Sequence, residues 1–446
     1  MKKLSKAIKP VSKIDAKIRL PGSKSITHRA LIMAALAAGP GRWDRHPGSP
    51  LKPSAAAVIG NPLRAEDTLL TGGALEALGA TIEWGPDSVR VIPPAFRWRQ
   101  PDGPIFLGNS GTSARLLLAV FSAGSGKFVL DGTPRLRQRP VGPAAEALQK
   151  LGVKLRWIGE PGFLPVEIDS RGLSGGDVYV NASESSQFLS GVLIAAPCAL
   201  GKVRVEWSEP VASWPYVEIT LGMMKEAGIS FERQASNRVA IPAPQAYAPR
   251  SFTVEGDCSS ASYFWGAAAL TGGQVLTSPV SPRSIQGDCR FLNVLGKMGC
   301  RIEWQGEGVR VIGPEQLLPV DVDMNEMPDM VPTLGVLCAF ANGTSRIRNV
   351  AHLRIKESDR LSTVAAGLKV LGVEARELSD GLIINGGVPL GPPSGPISAF
   401  DDHRIAMAFA LAGLRLNGVV IDGAESVSKS FPEFWDVFES LGKEQV

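Results

Sequence analysis

The chain has 446 residues, of which 44% are hydrophobic and 20% are charged, and its formal net charge is +4. This length predicts two to three domains, and the composition is that of a globular protein with a large apolar core. The small, evenly spread charge argues against a nucleic-acid partner, and no apolar run follows the basic start MKKLSKAIKP as in a signal peptide, so we expect a cytoplasmic protein.

Six copies of one pattern follow one another along the chain. Each begins with a helix that has a polar start and is then apolar on nearly all sides. An amphipathic helix that ends at a glycine follows, and a pair of strands comes after it. The closing glycines recur every 70 to 76 residues and are Gly79, Gly152, Gly228, Gly299, Gly372 and Gly442. A helix without a polar face is buried, and about 12 apolar residues are too few to span a bilayer. Because one copy cannot bury its own apolar surface, the copies must pack together.

The elements of the six copies are predicted as follows. In chain order, the buried helices are SKSITHRALIMAALAAG, NSGTSARLLLAVFSAG, SSQFLSGVLIAAPCALG, SSASYFWGAAALTGG, PTLGVLCAFANG and DHRIAMAFALAGLRLNG. The amphipathic helices with their strand pairs are ALEALGATIEWGPDSVRVIPP, ALQKLGVKLRWIGEPGFLPVEI, MMKEAGISFERQASNRVAIPA, VLGKMGCRIEWQGEGVRVIG and GLKVLGVEARELSDGLIING, and the sixth copy ends at VFESLG. We expect each helix to end at a glycine in the left-handed conformation.

The first copy is longer than the others. Its two helix-closing glycines are about 40 residues apart, whereas the later copies need about 24 to 29, so roughly a dozen extra residues lie in the stretch 40–58. Four prolines and the lack of alternation favour a loop or a disordered segment there. Trp43, Arg45 and His46 could form a partner patch, although a solvated insertion is favoured because long loops are tolerated. Only AAAVI remains to supply the strand of this copy.

Polar residues gather where the buried helices begin. These residues include Ser23, Lys24, Ser25 and Arg29; Asn109, Ser110, Gly111, Thr112 and Arg115; Ser185, Ser186 and Gln187; Asp329; and Asp401, Asp402, His403 and Arg404. Each Ser, Asn or Asp alone is most simply a helix cap. Capping does not explain the four cations, because a cation in the first turn opposes the helix dipole unless an anion binds there. These cations are Lys24, Arg29, Arg115 and Arg404. We therefore predict an anion site.

Cation-rich loops precede the amphipathic helices of three copies. These loops hold Arg135, Arg137 and Arg139; Arg354, Lys356, Glu357 and Arg360; and Lys429. One such loop alone would be a solvated surface, but three at equivalent places favour a small ligand with several negative charges. A P-loop is excluded because Ser23, not Gly, precedes Lys24, and no G-x-G-x-x-G follows a strand.

Neither metals nor disulfides are predicted. Five cysteines, an odd number without paired spacing, argue against a disulfide framework and a structural zinc site. The four histidines lie in different copies and form no H-x-x-x-H motif. We expect no metal and no cofactor.

Nine ordered motifs resemble, over nearly the whole chain, those of the 5-enolpyruvylshikimate-3-phosphate synthase family. They are LPGSKSITHRA, LGNSGTSAR, PRLRQRP, SSQFLSG, DCSSASYF, MPD, RIKESDR, DDHRIAMAF and KSFPEFW. The resemblance implies an α/β fold, a two-domain inside-out barrel of six βαβαββ repeats, three per domain, with helix starts directed at an interdomain cleft. We predict one domain at 21–249 and a discontinuous one at 1–20 and 250–446, with crossings near Leu20 and Arg250. Family precedent is a monomer.

The resemblance also implies the reaction and its residues. Phosphoenolpyruvate gives its enolpyruvyl group to the 5-hydroxyl of shikimate 3-phosphate, and phosphate leaves, as in aromatic amino acid biosynthesis. The positions matching the shikimate 3-phosphate site are Lys24, Ser25, Arg29, Ser185, Ser186, Gln187, Ser213, Tyr216, Asp329 and Lys356. Those matching the phosphoenolpyruvate site are Lys24, Asn109, Gly111, Arg139, Gln187, Arg360, Arg404 and Lys429. Glycine at position 111 implies sensitivity to the inhibitor glyphosate.

Addition followed by elimination requires an acid and a base at the junction of the two substrates. The resemblance implies Asp329 as the base and Glu357 as the acid, assisted by Lys24 and His403. Glu357 lies between Lys356 and Arg360, which favour its ionised form, so it must gain a proton when phosphoenolpyruvate adds negative charge and the cleft closes.

Two other functions remain open from the sequence. UDP-N-acetylglucosamine enolpyruvyl transferases share the architecture but use a loop cysteine, which GTPRLRQRP lacks. A non-catalytic anion-binding homologue would not require the intact Lys24, Asp329, Glu357 and Arg404. His352 stands where the family often has Asn, which puts one shikimate 3-phosphate contact in question.

Overall fold

The computed structural model describes residues 4–37, 55–94, 98–248, 251–387 and 390–442. Most of the predicted insertion at 40–58, including Trp43, Arg45 and His46, lies outside the described residues. The strand predicted at AAAVI is confirmed, since a strand covers Ala57–Gly60.

Helices and strands alternate along the whole described chain. In chain order the helices are α1 (Lys24–Leu36), α2 (Glu66–Ala77), α3 (Gly111–Ala123), α4 (Gly142–Lys150), α5 (Ser186–Ala195), α6 (Pro215–Glu226), α7 (Cys258–Thr271), α8 (Phe291–Lys297), α9 (Val331–Phe340), α10 (Arg360–Val370), α11 (His403–Gly413) and α12 (Phe434–Ser440). Short 3-10 helices cover Leu136–Gln138, Ala196–Cys198, Gly287–Arg290, Pro328–Met330, Ala351–Ile355 and Ala424–Lys429.

The strands, in chain order, are β1 (Ser5–Ala7), β2 (Asp15–Arg19), β3 (Ala57–Gly60), β4 (Thr81–Trp84), β5 (Ser88–Ile92), β6 (Ile105–Phe106), β7 (Ser125–Asp131), β8 (Lys154–Trp157), β9 (Val166–Arg171), β10 (Gly176–Val180), β11 (Val203–Trp207), β12 (Glu232–Ala235), β13 (Arg238–Ile241), β14 (Phe252–Thr253), β15 (Gln274–Ser278), β16 (Arg301–Gln305), β17 (Gly308–Ile312), β18 (Asp321–Asp323), β19 (Thr344–Arg348), β20 (Glu374–Leu378), β21 (Gly381–Asn385), β22 (Ile397–Ser398) and β23 (Val420–Asp422).

The chain divides into two compact units. The central unit is Lys24–Val254, and the terminal unit joins Met1–Ser23 to Glu255–Val446. Each has its own apolar core. The divisions fall after Ser23 and Val254, whereas the sequence placed the crossings near Leu20 and Arg250; the assignment of domains to 21–249 and to 1–20 with 250–446 stays a prediction.

The predicted βαβαββ repeat is present in both units. In the central unit, β6, α3, β7, α4, β8 and β9 follow one another, and their sheet has the order β6-β7-β9-β8. The third copy repeats this arrangement with the order β10-β11-β13-β12, and in the terminal unit the fifth copy has the order β18-β19-β21-β20. The first two strands of each sheet are parallel and the last two form an antiparallel hairpin. These copies confirm the α/β fold class.

Strands from distant parts of the sequence complete the other copies. In the central unit β14, near the end of the unit, pairs in parallel with β3 and completes the first copy. In the terminal unit β2 pairs in parallel with β15 and completes the fourth copy, while β1 pairs with β23 in the sixth. Each unit is therefore closed by strands that lie far apart in sequence.

The apolar helices are buried as predicted. Helix α1 buries every residue except Ser25, α3 every residue except Thr112, and α7 and α11 bury all of theirs. Because an apolar surface contributes roughly 25 cal/mol for each Å² removed from water, these helices are a main source of stability. No helix in the described parts of the chain is long and apolar enough to span a membrane.

The helix-end prediction is wrong for two of the described buried helices, because neither Gly124 nor Gly201 has a left-handed conformation. Gly79 closes α2 with a φ of +98°, as expected for a left-handed glycine. Gly124, however, ends α3 with a φ of −87°. The reason is that β7 begins at the next residue, so the chain must leave the helix in an extended conformation.

The cysteine prediction also needs correction. Cys258 and Cys289 form a disulfide, whereas Cys198, Cys300 and Cys338 are buried free thiols. The paired residues are 31 positions apart, and they meet because the Gly287–Arg290 turn packs on the first turn of α7. Sequence spacing alone does not indicate such a pair, because it arises from the tertiary packing of two short elements.

Candidate functional site

The first turn of α1 carries a buried ion pair. Lys24 Nζ lies 3.1 Å from Oδ2 of Asp67, whose side chain is 1% exposed. Asp67 is in the first turn of α2, where an acidic residue also favours the helix dipole. Because an acidic residue is common at this position of a helix, the sequence does not distinguish Asp67 as a functional residue. Its buried position against Lys24 makes it part of the environment of the predicted catalytic lysine.

Arg29 connects three helices of the central unit. Its Nε donates to Thr220 Oγ1 at 2.8 Å, and its Nη2 donates to the Tyr216 carbonyl at 3.0 Å. Further donations reach Ser190 Oγ at 3.2 Å and the Ser25 carbonyl at 2.9 Å. Burial lowers the pKa of Arg29 to about 10. The predicted ligand Arg29 therefore fixes the backbone of two other predicted ligands, Ser25 and Tyr216.

The starts of α3 and α5 are joined through Arg115 and Gln187. Arg115 Nη1 donates to Gln187 Oε1 at 3.0 Å, and Gln187 Nε2 donates to Thr112 Oγ1 at 2.9 Å. Ser185 caps α5, since its hydroxyl accepts from the Gln187 amide at 3.3 Å. Ser185 and Ser186 are both buried. Capping and ligand binding are thus compatible for Ser185.

Arg139 lies against the start of α3. Arg139 is 3% exposed, and its Nη1 donates to the Asn109 carbonyl at 3.0 Å. Gly111 makes this approach possible, because a Cβ at that position would lie only 2.5 Å from Arg139 Cζ. Three residues predicted on the phosphoenolpyruvate side are therefore neighbours.

The turn before α6 places Ser213 and Tyr216 next to each other. The Tyr216 amide donates to the Ser213 carbonyl at 3.1 Å, and Ser213 is buried with a φ of +59°. A left-handed serine is uncommon, and such conformations cluster at functional sites. Sequence reading missed this feature because φ is not visible in a residue pattern.

A buried chain of hydroxyls supports the starts of these helices. Thr71 Oγ1 bonds to His28 Nδ1 and to Ser113 Oγ, both at 2.8 Å. Ser113 Oγ also bonds to Ser110 Oγ at 2.7 Å and donates to the Asp67 carbonyl at 3.2 Å. Buried polar groups need such partners, and a fully bonded network fixes its members in one arrangement.

In the terminal unit, Arg360 is surrounded by carboxylates. Its Nη1 donates to Asp329 Oδ1 and its Nη2 to Glu357 Oε2, both at 2.8 Å. Asp402, the cap of α11, accepts from Arg360 Nε at 2.8 Å. Arg404 Nη2 donates to the other oxygen of Asp329 at 2.7 Å. The structure thus brings together Asp329, Glu357, Arg360 and Arg404, which we call the acidic-arginine cluster, with Asp402.

The charges in this cluster set its protonation. Burial alone would raise the pKa of Asp329, but Arg404, Arg360 and Lys356 outweigh burial and hold the pKa well below its usual range. Burial would lower the pKa of Arg360, but Asp402, Glu357 and Asp329 raise it well above the ordinary value. Asp329 is therefore ionised and Arg360 charged at neutral pH.

The other predicted residues of the terminal unit lie in three different elements. His403 begins α11 and is fully buried, with Nδ1 3.8 Å from Asp402 Oδ1. Lys356 is half-buried, and its charge contributes to lowering the pKa of Asp329. Lys429 is buried at the end of the Ala424–Lys429 turn. Burial, followed by the charge of Lys356, lowers the pKa of His352 to about 3.

Each unit thus presents buried cations and hydroxyls at helix starts. Charge-assisted hydrogen bonds to phosphate or carboxylate are the strongest that such groups make. The carboxylates of the acidic-arginine cluster add groups that can exchange protons. Together these features fit the binding and acid-base chemistry of small anions.

Comparisons with known proteins agree with this chemistry. The family model for EPSP synthase (3-phosphoshikimate 1-carboxyvinyltransferase) matches residues 8–438. A 3-phosphoshikimate 1-carboxyvinyltransferase of Syntrophobacter fumaroxidans is 58% identical over 438 residues, which is 98% of this chain and 100% of that protein. One from Vibrio vulnificus is 38% identical, with 98% and 99% coverage. The solved EPSP synthase of Acinetobacter baumannii matches with a TM-score of 0.77 and 29% identity, covering 98% of each chain.

Proposed function

Because the chain belongs to the EPSP synthase family, we propose that it carries out this family's reaction with the residues described above. The chain is a transferase that moves the enolpyruvyl group of phosphoenolpyruvate to the 5-hydroxyl of shikimate 3-phosphate and releases phosphate. It acts in the shikimate pathway. We assign it to the cytoplasm as a monomer and take the two units to be the two domains of the family.

We assign shikimate 3-phosphate to the hydroxyls and cations around α1, α5 and α6, with two terminal-unit residues. The assigned residues are Lys24, Ser25, Arg29, Ser185, Ser186, Gln187, Ser213, Tyr216, Asp329 and Lys356. The burial of Ser185, Ser186 and Ser213 supports this, because hydroxyls held away from water bond a ligand without competition. Arg29 contributes by fixing Ser25 and Tyr216 through their carbonyls.

Phosphoenolpyruvate is assigned to the cation-rich residues. These are Lys24, Asn109, Gly111, Arg139, Gln187, Arg360, Arg404 and Lys429. The three arginines are almost fully buried, and a planar guanidinium can bind a carboxylate or a phosphate through two parallel bonds. The ligand carries both of these groups, which accounts for the number of cations.

Asp329 is the proposed base toward the 5-hydroxyl. Arg360 and Arg404 hold its pKa too low for efficient proton transfer. When an anionic ligand binds the two guanidiniums, its charge offsets theirs, and the pKa of Asp329 rises toward the range a base needs. Substrate binding would therefore activate the base.

Glu357 is the proposed acid toward the methylene carbon of phosphoenolpyruvate, assisted by Lys24 and His403. Its Oε2 accepts from Arg360 Nη2 at 2.8 Å, which favours the ionised form. Phosphoenolpyruvate competes for the same guanidinium and adds negative charge nearby, so it favours uptake of a proton by Glu357. Binding of phosphoenolpyruvate would therefore shift both Glu357 and Asp329 toward the protonation behaviour that catalysis needs.

The observation that carries the proposal is the contact of both Asp329 oxygens with two buried arginines. The test measures phosphate release from phosphoenolpyruvate with shikimate 3-phosphate, with UDP-N-acetylglucosamine, and with no acceptor. We expect release with shikimate 3-phosphate alone. Release with UDP-N-acetylglucosamine would favour the related transferase, and no release with either acceptor would favour an anion-binding protein without catalysis.

A further inference from the structure

Two buried polar residues of the terminal unit, Ser259 and Asp288, are connected by hydrogen bonds to Arg404 of the acidic-arginine cluster and belong to no predicted site. Ser259 lies in the first turn of α7 and Asp288 in the Gly287–Arg290 turn. Both are at most 4% exposed. The Ser259 hydroxyl donates to Asp288 Oδ2, and Arg404 Nη2 donates to the same Ser259 oxygen at 3.3 Å. A continuous path of hydrogen bonds therefore runs from Asp288 through Ser259 to Arg404 and Asp329.

The turn that carries Asp288 is fixed tightly to α7. Gln286 Nε2 donates to the Gly256 carbonyl at 2.9 Å, and Gln286 Oε1 accepts from the Cys258 amide at 3.2 Å. The disulfide joins Cys258 and Cys289, the neighbours of Ser259 and Asp288. Asp257 caps the helix by accepting from the Ser260 amide at 3.0 Å. These contacts hold the first turn of α7 in place, so the Ser259 hydroxyl has one orientation.

We propose that Ser259 and Asp288 are positioning residues that orient the Arg404 guanidinium for phosphoenolpyruvate. Asp288 accepts the Ser259 hydrogen, so the lone pairs of Ser259 Oγ face Arg404. Arg404 Nη2 is then held between Ser259 and Asp329, and this sets the direction of the remaining N–H groups of its planar fork. This inference rests on the proposed function, because it assigns Arg404 to phosphoenolpyruvate.

The hydrogen bond to a charged guanidinium sets the size of the expected effect. Losing one such bond is expected to raise the KM for phosphoenolpyruvate about tenfold. The KM for shikimate 3-phosphate should stay within about twofold, since we assign Arg404 to the other substrate. A general loss of folding would instead change both constants and kcat together.

Titration of Asp288 gives a second readout. Burial and, to a smaller extent, the charges of Asp329 and Asp257 raise the pKa of Asp288 to about 7. The charge of Arg404 and the hydrogen bond from Ser259 oppose this shift. Above that pH the ionised carboxylate adds negative charge beside Arg404 and weakens the binding of an anion. The KM of the unchanged chain for phosphoenolpyruvate should therefore rise between about pH 6 and 8. Asp288→Asn keeps an acceptor for Ser259 but cannot ionise, so this rise should be absent in the variant.

The experiment compares the unchanged chain with Ser259→Ala, Asp288→Asn and the matched control Ser260→Ala. Ser260 is a buried neighbour whose hydroxyl bonds to Asp257 at 2.7 Å, so the control removes a similar group from the same turn. We expect the selective rise in KM in Ser259→Ala alone. Equal KM values in Ser259→Ala and Ser260→Ala would overturn the inference, as would an unaltered pH profile in Asp288→Asn.

A measurement without turnover separates this inference from the proposed function. Hydrogen exchange of the Arg404 Nη2–H groups, followed by NMR of arginine-labelled protein and assigned with Arg404→Lys, should be faster in Ser259→Ala than in Ser260→Ala. If the unchanged chain releases no phosphate, the proposed function fails, yet this difference would still support the positioning of Arg404. Equal exchange in the two variants contradicts it, whatever the activity.

Discussion

At the scale of single residues, Gly111 is required by the neighbouring guanidinium. A methyl group at this position would lie 2.5 Å from Arg139 Cζ, so Gly111→Ala must displace Arg139. We expect the KM for phosphoenolpyruvate to rise about tenfold, because the displaced Arg139 guanidinium loses its charge-assisted hydrogen bond to this substrate, which contributes about 1.5 to 3 kcal/mol. The unchanged chain should be inhibited by millimolar glyphosate and the variant much less.

Gly73 provides the control for this substitution. It lies on α2, and a Cβ there would meet no atom within 4 Å. Gly73→Ala should therefore leave the KM for phosphoenolpyruvate and the inhibition by glyphosate unchanged. Steady-state kinetics and inhibition curves of the three proteins make the comparison. Equal inhibition of the unchanged chain and Gly111→Ala would show that Arg139 does not respond to this contact.

His352 is expected to make stability depend on pH. Burial, then Lys356, lowers its pKa to about 3, whereas the unfolded chain binds the proton near pH 6.5. Between these values the unfolded state holds more protons, so stability falls as the pH falls through this window, by at most about 1.4 kcal/mol per pH unit. His352→Asn should reduce this slope in urea unfolding between pH 6.5 and 4.5. Identical slopes in both proteins would refute the assignment, and above pH 7 no difference in slope is expected.

At the scale of elements, helices α3 and α5 depend on a close approach at Gly191. A Cβ at this position would lie 2.7 Å from the Arg115 carbonyl oxygen, which is backbone and cannot move aside. Gly191→Ala should therefore destabilise the central unit by about 1 to 3 kcal/mol. Gly222→Ala on α6 is the control, because a Cβ there meets nothing within 4 Å and alanine favours a helix by up to about 1 kcal/mol. If Gly191→Ala and Gly222→Ala unfold at the same temperature, the close approach of α5 to α3 at Gly191 is contradicted.

The disulfide between α7 and the Gly287–Arg290 turn is tested by counting thiols. Protein purified without reductant and titrated in denaturant should react at Cys198, Cys300 and Cys338 alone, giving three thiols. Tryptic peptides that join Cys258 to Cys289 should appear before reduction and not after it. Five reactive thiols would show that the pair stays reduced in solution, as is usual for proteins of a reducing compartment.

At the scale of the whole molecule, the regular parts of the fold could be predicted because they follow from periodicity. Apolar helices such as α7 had no polar face and had to be buried, and glycines such as Gly79 marked where helices end. Motifs with cations at helix starts, among them Lys24 and Arg404, indicated anion chemistry before any geometry was known.

Other features arise only from contacts between distant residues. The Lys24–Asp67 pair joins positions 43 apart, and nothing in the first turn of α2 distinguishes Asp67 from an ordinary helix-start acid. Strands β2 and β14 complete copies that lie elsewhere in the sequence. Ser259 and Asp288 read as a helix start and a turn until their contact with Arg404 is seen.

Asp329 and Glu357 are proposed to exchange protons with substrates held by Arg360 and Arg404. The most direct measurement is the rate of phosphate release, dependent on shikimate 3-phosphate, for the unchanged chain, Asp329→Asn and Glu357→Gln. We predict rapid release by the unchanged chain and a fall in kcat of about 100-fold or more in both variants, the typical contribution of an acid or a base. Near-normal release by either variant would contradict the role of that residue, and no release by the unchanged chain would contradict the proposed transferase activity.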